Sequence, residues 1–514
     1  MKKTFLSLAA ALLCSTALQA QTVYEAANML NGDLDGTARF VGMGGAMNAL
    51  GGDVSIMNTN PAGIALYRSS DMMFSFGAEG TMQRSKYQAS KNRAGKVNGA
   101  FDNFGMVFAN KHSNEGALRF VNFGVNYRRT KDFNQNLYVD GNLNGLSQTG
   151  QMANQAFNNG AIGDAHFDAA NDGSFYNYNY YKSPNFGWLT LMGADGRLID
   201  GNSLYNGGDY YPSQSFDYTS REYGGMGEWG FNLSFNFVDQ VYLGATLGIK
   251  SMNYNYYSLY NEYFEDGSYQ FENWYKTKGS GVNFGIGAII RPFENSSFRL
   301  GIAAVTPTIM ELTDYNSAII ESWIGEDNIS MDTQSGDAFG GDCYTEYSVT
   351  TPATINLSMA YTIGTSIAMD AEYEYSNFAA MGFYEGNGKG NKLMNEEVGN
   401  VLKAQHTFRV GIEKSYGGFA ARAGFAHSNG GFKQNAYKYI PVNSVQTNTD
   451  YTNVLHTNTV SCGCGYSGDI FYADVALYYS GRKSDFYPFD NIDLEATKVN
   501  RNMVKGLVTL GMRF

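Results

Sequence analysis

A chain of 514 residues with 36 basic and 48 acidic side chains carries a formal charge of −12 at pH 7, which speaks against nucleic acid or an anionic surface as partner and leaves no basic patch to explain. Mean hydropathy is −0.32, and no run approaches the ~20 apolar residues of a membrane helix, so a helical membrane protein is excluded. Four cysteines are too few for a secreted disulfide scaffold, whereas 15% aromatic residues, 61 Gly and only 8 Pro suit long twisted strands with aromatic girdles.

Residues 1–20 read as an export signal: Lys2 and Lys3, an apolar stretch from Phe5 to Leu13, then Leu18-Gln19-Ala20 before Gln21, where the mature chain is expected to start. Cys14 does not make this a lipoprotein signal, because Leu13 before it is too bulky. Residues 21–70 do not alternate. Gly36 to Asp53 is too rich in glycine for a free helix, yet it carries Val41, Met43, Met47 and Leu50, which need a confined place to pack. Gly42, Gly44 and Gly45 lack the third glycine and the preceding strand of a nucleotide loop. Asn60-Pro61-Ala62 reads as a helix start, with Asn capping, Pro in the first position and a short turn through Ala65.

From residue 71 onward the dominant signal is alternation at period two, clearest in Val121 to Arg128, Phe231 to Phe237 and Val241 to Lys250. Strands are expected near 71–79, 103–109, 118–129, 229–238, 240–254, 276–291, 297–308, 345–362, 366–377, 404–414, 418–427, 457–466, 470–480 and 503–514, about fourteen in all, an even number as single-chain bacterial barrels have. The last ends the chain with Val508, Leu510, Met512 and Phe514 on one face and Leu507, Thr509, Gly511 and Arg513 on the other. Connections alternate long and short. Tight periplasmic turns and large outer loops have that parity; Greek-key sandwiches do not. The expected fold is therefore all-β: a transmembrane antiparallel barrel spanning 71–514, with a hatch over 21–70 plugging its lumen.

The longest connection, 130–228, is rich in Asn, Gly and Tyr and contains an expected short helix from Gln151 to Phe157. It reads as a solvated surface loop or, alternatively, as a lid whose Tyr side chains (Tyr176 to Tyr181) collect apolar ligands. Cys462 and Cys464 lie on one face of a strand beside Val460 and Tyr466, and read as small lipid-facing residues because no His or third Cys stands by to complete a metal site. No metal or cofactor is expected. Inward-facing Arg299, Arg409, Arg422 and Arg513 are candidate carboxylate partners for a ligand, set against a reading in which they pair with Asp370, Glu372, Glu413 and Asp474. No nucleophile signature stands out. His427-Ser428 is the least poor candidate, and the chain is read as a non-enzyme.

Gly36 to Arg39, Gly42 to Ala46, Gly51-Gly52-Asp53 and Asn60-Pro61-Ala62-Gly63 together resemble the N-terminal hatch of the FadL/TodX family of outer-membrane transporters for hydrophobic compounds, in its Bacteroidetes-like form. Arg299 to Thr308, Thr351 to Leu357 and Asp370 to Tyr375 are similar to that family's central strands. The resemblance implies a monomeric fourteen-stranded barrel in the outer membrane, in contact with membrane lipid and lipopolysaccharide. It implies passive, TonB-independent uptake of fatty-acid-like molecules past the plug to a lateral exit, with Asn60, Pro61 and Ala62 carried over as plug residues. Competing readings are a haemin-binding receptor, a surface adhesin or structural protein, and a general porin. Energy-coupled receptors need 22 strands and a larger plug, and His112, His166, His406, His427 and His456 support haem ligation thinly.

Overall fold

The computed structural model describes residues 21–158, 187–199, 211–333 and 343–514. Wherever side chains alternate between apolar and polar, the backbone runs as strand, and each strand pairs antiparallel with the next around a closed ring of fourteen staves. They are β1 (Asp71–Tyr87), β2 (Ser90–Lys111), β3 (Leu118–Asp132, continued by Gln135–Asn142), β4 (Ser215–Phe237), β5 (Val241–Tyr263), β6 (Gly267–Ile290) and β7 (Arg299–Val305, then Ile309–Ile324). The ring goes on through β8 (Cys343–Thr350, then Thr354–Ile363), β9 (Ile367–Asn377, then Gly382–Glu385), β10 (Ala404–Tyr416), β11 (Phe419–Asn429), β12 (Tyr451–Ser467), β13 (Phe471–Tyr487) and β14 (Thr497–Arg513). A short hairpin arm, Asp327–Asp332, folds back on the tip of β7. Closure joins β1 to β14 from Asp71 opposite Arg513 to Lys86 opposite Lys498, so the sheet has no free edge there. The outward residues of β14, Val504, Val508 and Leu510, are exposed to the surroundings, while Lys505, Leu507 and Thr509 are buried within.

Several staves run far past the expected ends, 23 residues in β5 and 24 in β6, against the ~10 that cross a bilayer. The expected links 80–102 and 255–275 are thus largely strand, turning only around Gln88-Ala89 and Phe264 to Asp266. Above the membrane both faces of a stave are wet or tyrosine-lined, so the hydrophobic alternation that marks a strand fades before the strand does. Conversely, the expected unbroken strands over 297–308 and 345–362 are each interrupted, at Thr306 to Thr308 and Thr351 to Ala353. Pro307 and Pro352 remove ladder donors side by side, and the two strands stay joined there by Thr308 N–H donating to Thr351 Oγ1 at 2.9 Å.

Among the described residues five α-helices lie within or over the bore: α1 (Val23–Ala27), α2 (Ala38–Gly42), α3 (Gln148–Asn158), α4 (Trp188–Asp195) and α5 (Lys392–Val401). The described parts of the longest connection are not a solvated loop. Trp188, Leu189, Leu191 and Met192 of α4 and Met152 of α3 are buried against Phe216, Ile320, Phe486 and Phe489, forming an outer cap. Tyr176 to Tyr181 and His166 lie outside the described residues. Cys462 and Cys464 are free and face outward, as expected.

Candidate functional site: the plugged bore

The N-terminal segment descends through the ring from the outer cap to the lower rim. At the top, Tyr24 of α1 donates to Asn453 at 2.7 Å and Glu25 pairs with the buried Lys438 at 2.5 Å. Lower down, Thr37 begins α2 by accepting from Phe40 N–H at 3.0 Å, and its hydroxyl donates to Asp53 at 2.7 Å. Burial pushes the Asp53 carboxyl up, against the opposing pull of Thr37, Arg39 and Ser55. Val41, Met43, Met47, Leu50 and Ile56 form the plug's own apolar centre, each contributing about 1.5–3 kcal/mol of burial. Near the rim the Asn60 side chain accepts from Ala62 N–H at 3.2 Å and donates to Asn48 O at 2.8 Å, and a short 3-10 helix follows over Pro61–Leu66.

Two modes of attachment hold this segment to the wall. Along β9 to β12 the contacts are short and direct. Glu372 accepts from the backbone N–H groups of Met47 and Asn48 at 2.6 and 2.7 Å, and Asp370 accepts from those of Ala49 and Leu50 at 3.0 and 2.7 Å. Arg39 grips Glu413 through two bonds of 2.9 and 3.0 Å. Plug backbone lies directly on wall backbone: a Cβ at Gly424 would sit 2.1 Å from Gly44 N, and one at Gly411 would sit 2.4 Å from Met43 O. Gly44 and Gly45 have φ of +67° and +80°, a conformation that favours glycine. Gly42 O accepts from Ser461 at 3.2 Å, and Pro61 lies over Gly244 in the same manner. Gly42, Gly44, Gly45, Asn60, Pro61 and Ala62 are thus all buried in the plug and pressed against the wall or against one another.

Facing them, near β2 and β3, the wall itself is incomplete. Their ladder runs from Lys111 opposite Phe120 up to Asn103 opposite Arg128 and stops. Above it β2 pairs with β1 alone, and the upper part of β3 passes behind the β1–β2 hairpin, where Ser85 donates to Tyr138 O at 2.5 Å and Gly141 packs on the Tyr87 ring. The seam is crossed by side chains: Asn98 donates to Asp132 at 2.9 Å, Asn136 to Gly95 O at 3.2 Å and Lys96 to Glu222 O at 2.9 Å. Asp102 sits at its lower end on a strand irregularity, fully buried. It pairs with Lys505 at 2.8 Å and Arg129 at 3.1 Å, and Lys505 also holds Asp35 of the plug. Glu79 and Asp132 complete this cluster of two cations and four carboxylates. A second group sets Asp33 of the plug near Arg482 and Arg501, at 3.9 and 3.8 Å. Burial alone would raise the Asp33 carboxyl, but Arg501, Arg482 and Lys131 outweigh it and hold it below the ordinary range.

Two partly open hollows flank the plug. One of 290 Å³ lies among Asp33, Arg128, Lys131, Glu228, Glu374 and Arg409, and one of 280 Å³ opens below among Asp53, Tyr67, Glu413 and Arg513. Both are polar. A larger apolar hollow of 580 Å³ lies on the lipid side of the wall over Met359, Val410, Ile412 and Phe425. The four candidate arginines are all engaged. Arg422 bonds Glu413 at 2.6 Å and Asp474 at 2.5 Å, Arg409 bonds Glu374 at 3.0 Å, Arg299 donates to Leu50 O, and Arg513 lies at the rim near Asp71. His427 is turned toward His456 and Asn458, whereas Ser428 lines the inner hollow, so the pair points to opposite faces of β11. Among the described residues no cluster of His, Cys, Asp or Glu could hold a metal ion. The buried ions at the seam were missed in the sequence. Lys505 was legible from the parity of β14, but Asp102 fell in an expected link.

No protein-family model matches the chain, and no curated protein does. Among solved structures, a Pseudomonas aeruginosa FadL homologue matches at 12% identity with a TM-score of 0.52, over 94% of this chain and 99% of that one. The Pseudomonas putida toluene transporter TodX and the Ralstonia pickettii toluene transporter TbuX match at TM-scores of 0.49 and 0.47, with 11% and 14% identity and the same coverage. The first likeness establishes a FadL/TodX-like fold, as the hatch motifs had implied, and the weaker two add nothing to it.

Proposed function

We propose that this protein is an outer-membrane channel through which hydrophobic small molecules, of the long-chain fatty-acid kind, pass by diffusion without energy coupling. They enter through the outer cap and leave sideways. One observation carries the reading: beside the plug the β2–β3 ladder stops at Asn103 opposite Arg128, and from there upward side chains replace backbone pairing between the two strands. Opening a seam of side chains breaks a few bonds of about 1 kcal/mol net each, whereas parting a ladder in lipid leaves buried backbone groups unpaired at a much greater cost. Phe101, Tyr127 and Trp229 line its outer lip, offering an apolar molecule a route into the hydrocarbon. Charged groups in both hollows beside the plug favour a path over the plug and out through the wall, not straight down the bore. A cargo shifts the plug only if it binds the shifted state more tightly.

The test is to bridge Asn98→Cys and Asp132→Cys with a cleavable bifunctional thiol reagent and follow entry of a fluorescent long-chain fatty acid. Entry is expected to fall about tenfold, a barrier increase near 1.4 kcal/mol, and to recover on cleavage. Entry unaffected by the bridge rules out this exit. A second arm removes residues 21–62: the barrel is expected to fold with altered permeability, and unchanged uptake of every apolar probe would discard the plug.

A further inference from the structure

The chain is acidic overall, yet its strand register gathers cations on one part of the outer wall. Arg84 and Lys86 of β1, Lys91 and Arg93 of β2, Lys483 of β13 and Lys498 of β14 all face away from the bore and are exposed. They form two adjoining rows. Arg84 is opposite both Arg93 and Asn500, Asn500 is opposite Lys483, and Lys483 is opposite His456; in the next row Lys86 is opposite both Lys91 and Lys498. Lys498 pairs with Asp485 at 2.9 Å, and among the described residues none of the other five has a carboxylate partner. Like charges directly opposite one another on a sheet, with Cβ atoms about 5 Å apart, destabilise it. An arrangement that repeats this penalty needs an anion to offset it.

Height on the wall says which anion. Four residues further down each strand, about 13 Å along it, the outward row reads Val97, Gly80, Val504, Tyr479 and Val460, and Tyr479 donates to Asn502 at 2.5 Å between the two levels. The cations therefore begin where the lipid-facing apolar band and its interfacial tyrosine end, on the side of the hairpin tip at Gln88-Ala89 and of the long connections. A shallow hollow of 370 Å³ lies between the levels, among Arg84, His456, Asn458, Lys483, Asn500 and Asn502. Guanidinium forks with ammonium groups beside them match phosphate. We infer that this patch binds the phosphate groups of a phosphorylated glycolipid of the outer leaflet, with its acyl chains lying down the apolar rows beneath. A soluble anion would gain nothing from those rows. The inference rests on the outer-membrane reading of the barrel.

The test uses the full-length mature protein in phosphatidylethanolamine bilayers containing lipid A, dephosphorylated lipid A or phosphatidylglycerol, with retained lipids counted by native mass spectrometry. Lipid A is expected to be retained by the wild type and to fall at least about tenfold in the triple variant Arg84→Gln, Arg93→Gln, Lys483→Gln, as three lost headgroup cations imply. Removing three other exposed cations, Lys389, Lys403 and Lys414, is expected to change nothing. Equal retention by the triple variant, or wild-type retention of dephosphorylated lipid A or phosphatidylglycerol equal to that of lipid A, overturns the proposal. The headgroup comparison on wild type decides the matter even if the triple variant misfolds. Failure to insert into any bilayer overturns the barrel reading and this proposal with it, whereas insertion without headgroup preference overturns the proposal alone.

Discussion

The same plug meets two unlike walls. Along β9 to β12 backbone ladders run beside the plug, carboxylates take plug N–H groups in pairs, and glycines let backbone rest on backbone. Along β2 and β3 the ladder lapses, and the plug is tied by Asp35 to a buried cluster with two more carboxylates than cations. Close packing tolerates almost no displacement. A buried ion cluster is bistable by comparison, since it is well satisfied in one geometry and costly in most others. The plug is thus close-packed along β9 to β12, here the hinge side, and ion-tied beside the lapse at β2 and β3, here the latch side, where Asn122 and Asn126 also bond its carbonyls.

The latch gives the largest expected effect. Lys505→Met strands Asp35 and Asp102, both almost wholly buried, and is expected to cost about 3–5 kcal/mol in denaturant unfolding and to expose the upper plug to protease. If the plug stays as protected as in the wild type, the two walls do not differ as described. Glu372→Ala comes next. It leaves the N–H groups of Met47 and Asn48 without their acceptor and is expected to cost about 3 kcal/mol while leaving the seam shut, so that fatty-acid entry changes little. Gly424→Ala sharpens the hinge side: its Cβ would meet Gly44 N at 2.1 Å, backbone that cannot swing aside, and about 1–3 kcal/mol of overpacking should appear in the unfolding midpoint. Asn60→Ala, which loses a cap and a bond to Asn48 O, should cost about 1 kcal/mol.

The smallest effect is in the outer cap. Burial raises the Asp490 carboxyl from its ordinary 3.8 to about 6. A carboxyl whose folded pKa is raised favours the folded cap while protonated, so its contribution is full below 3.8 and is lost as pH rises through about 6. Hydrogen exchange in the cap should quicken over that window, and Asp490→Asn should flatten the dependence.

Much of the barrel was legible because a bilayer demands alternation. Lipid outside and packed side chains inside put opposite demands on successive residues, and where that held, as in Val241 to Lys250, strand and facing could be read directly. The hatch was legible for a related reason, since Asn60-Pro61 is a local cap and a glycine-rich apolar stretch with no alternation has few places to pack. Facing also disclosed the arginines and several of their partners: Arg422 pairs with Glu413 and Asp474, and Arg409 lies 3.7 Å from Glu372, whereas Arg299 bonds a plug carbonyl. Strand ends were not legible: above the membrane Tyr and Asn occupy both faces of β5, and its outer half resembles a loop.

By itself the sequence determined the period-two staves, their parity around a ring, and a first segment that must lie inside it. Only the tertiary structure decided where the ring is open, which wall grips the plug, and that an acidic chain presents a basic face. Each of these depends on register between strands far apart in sequence, such as Asp102 beside Lys505 or Arg84 beside Asn500, and register is set by the closure of the whole sheet and not by any one strand.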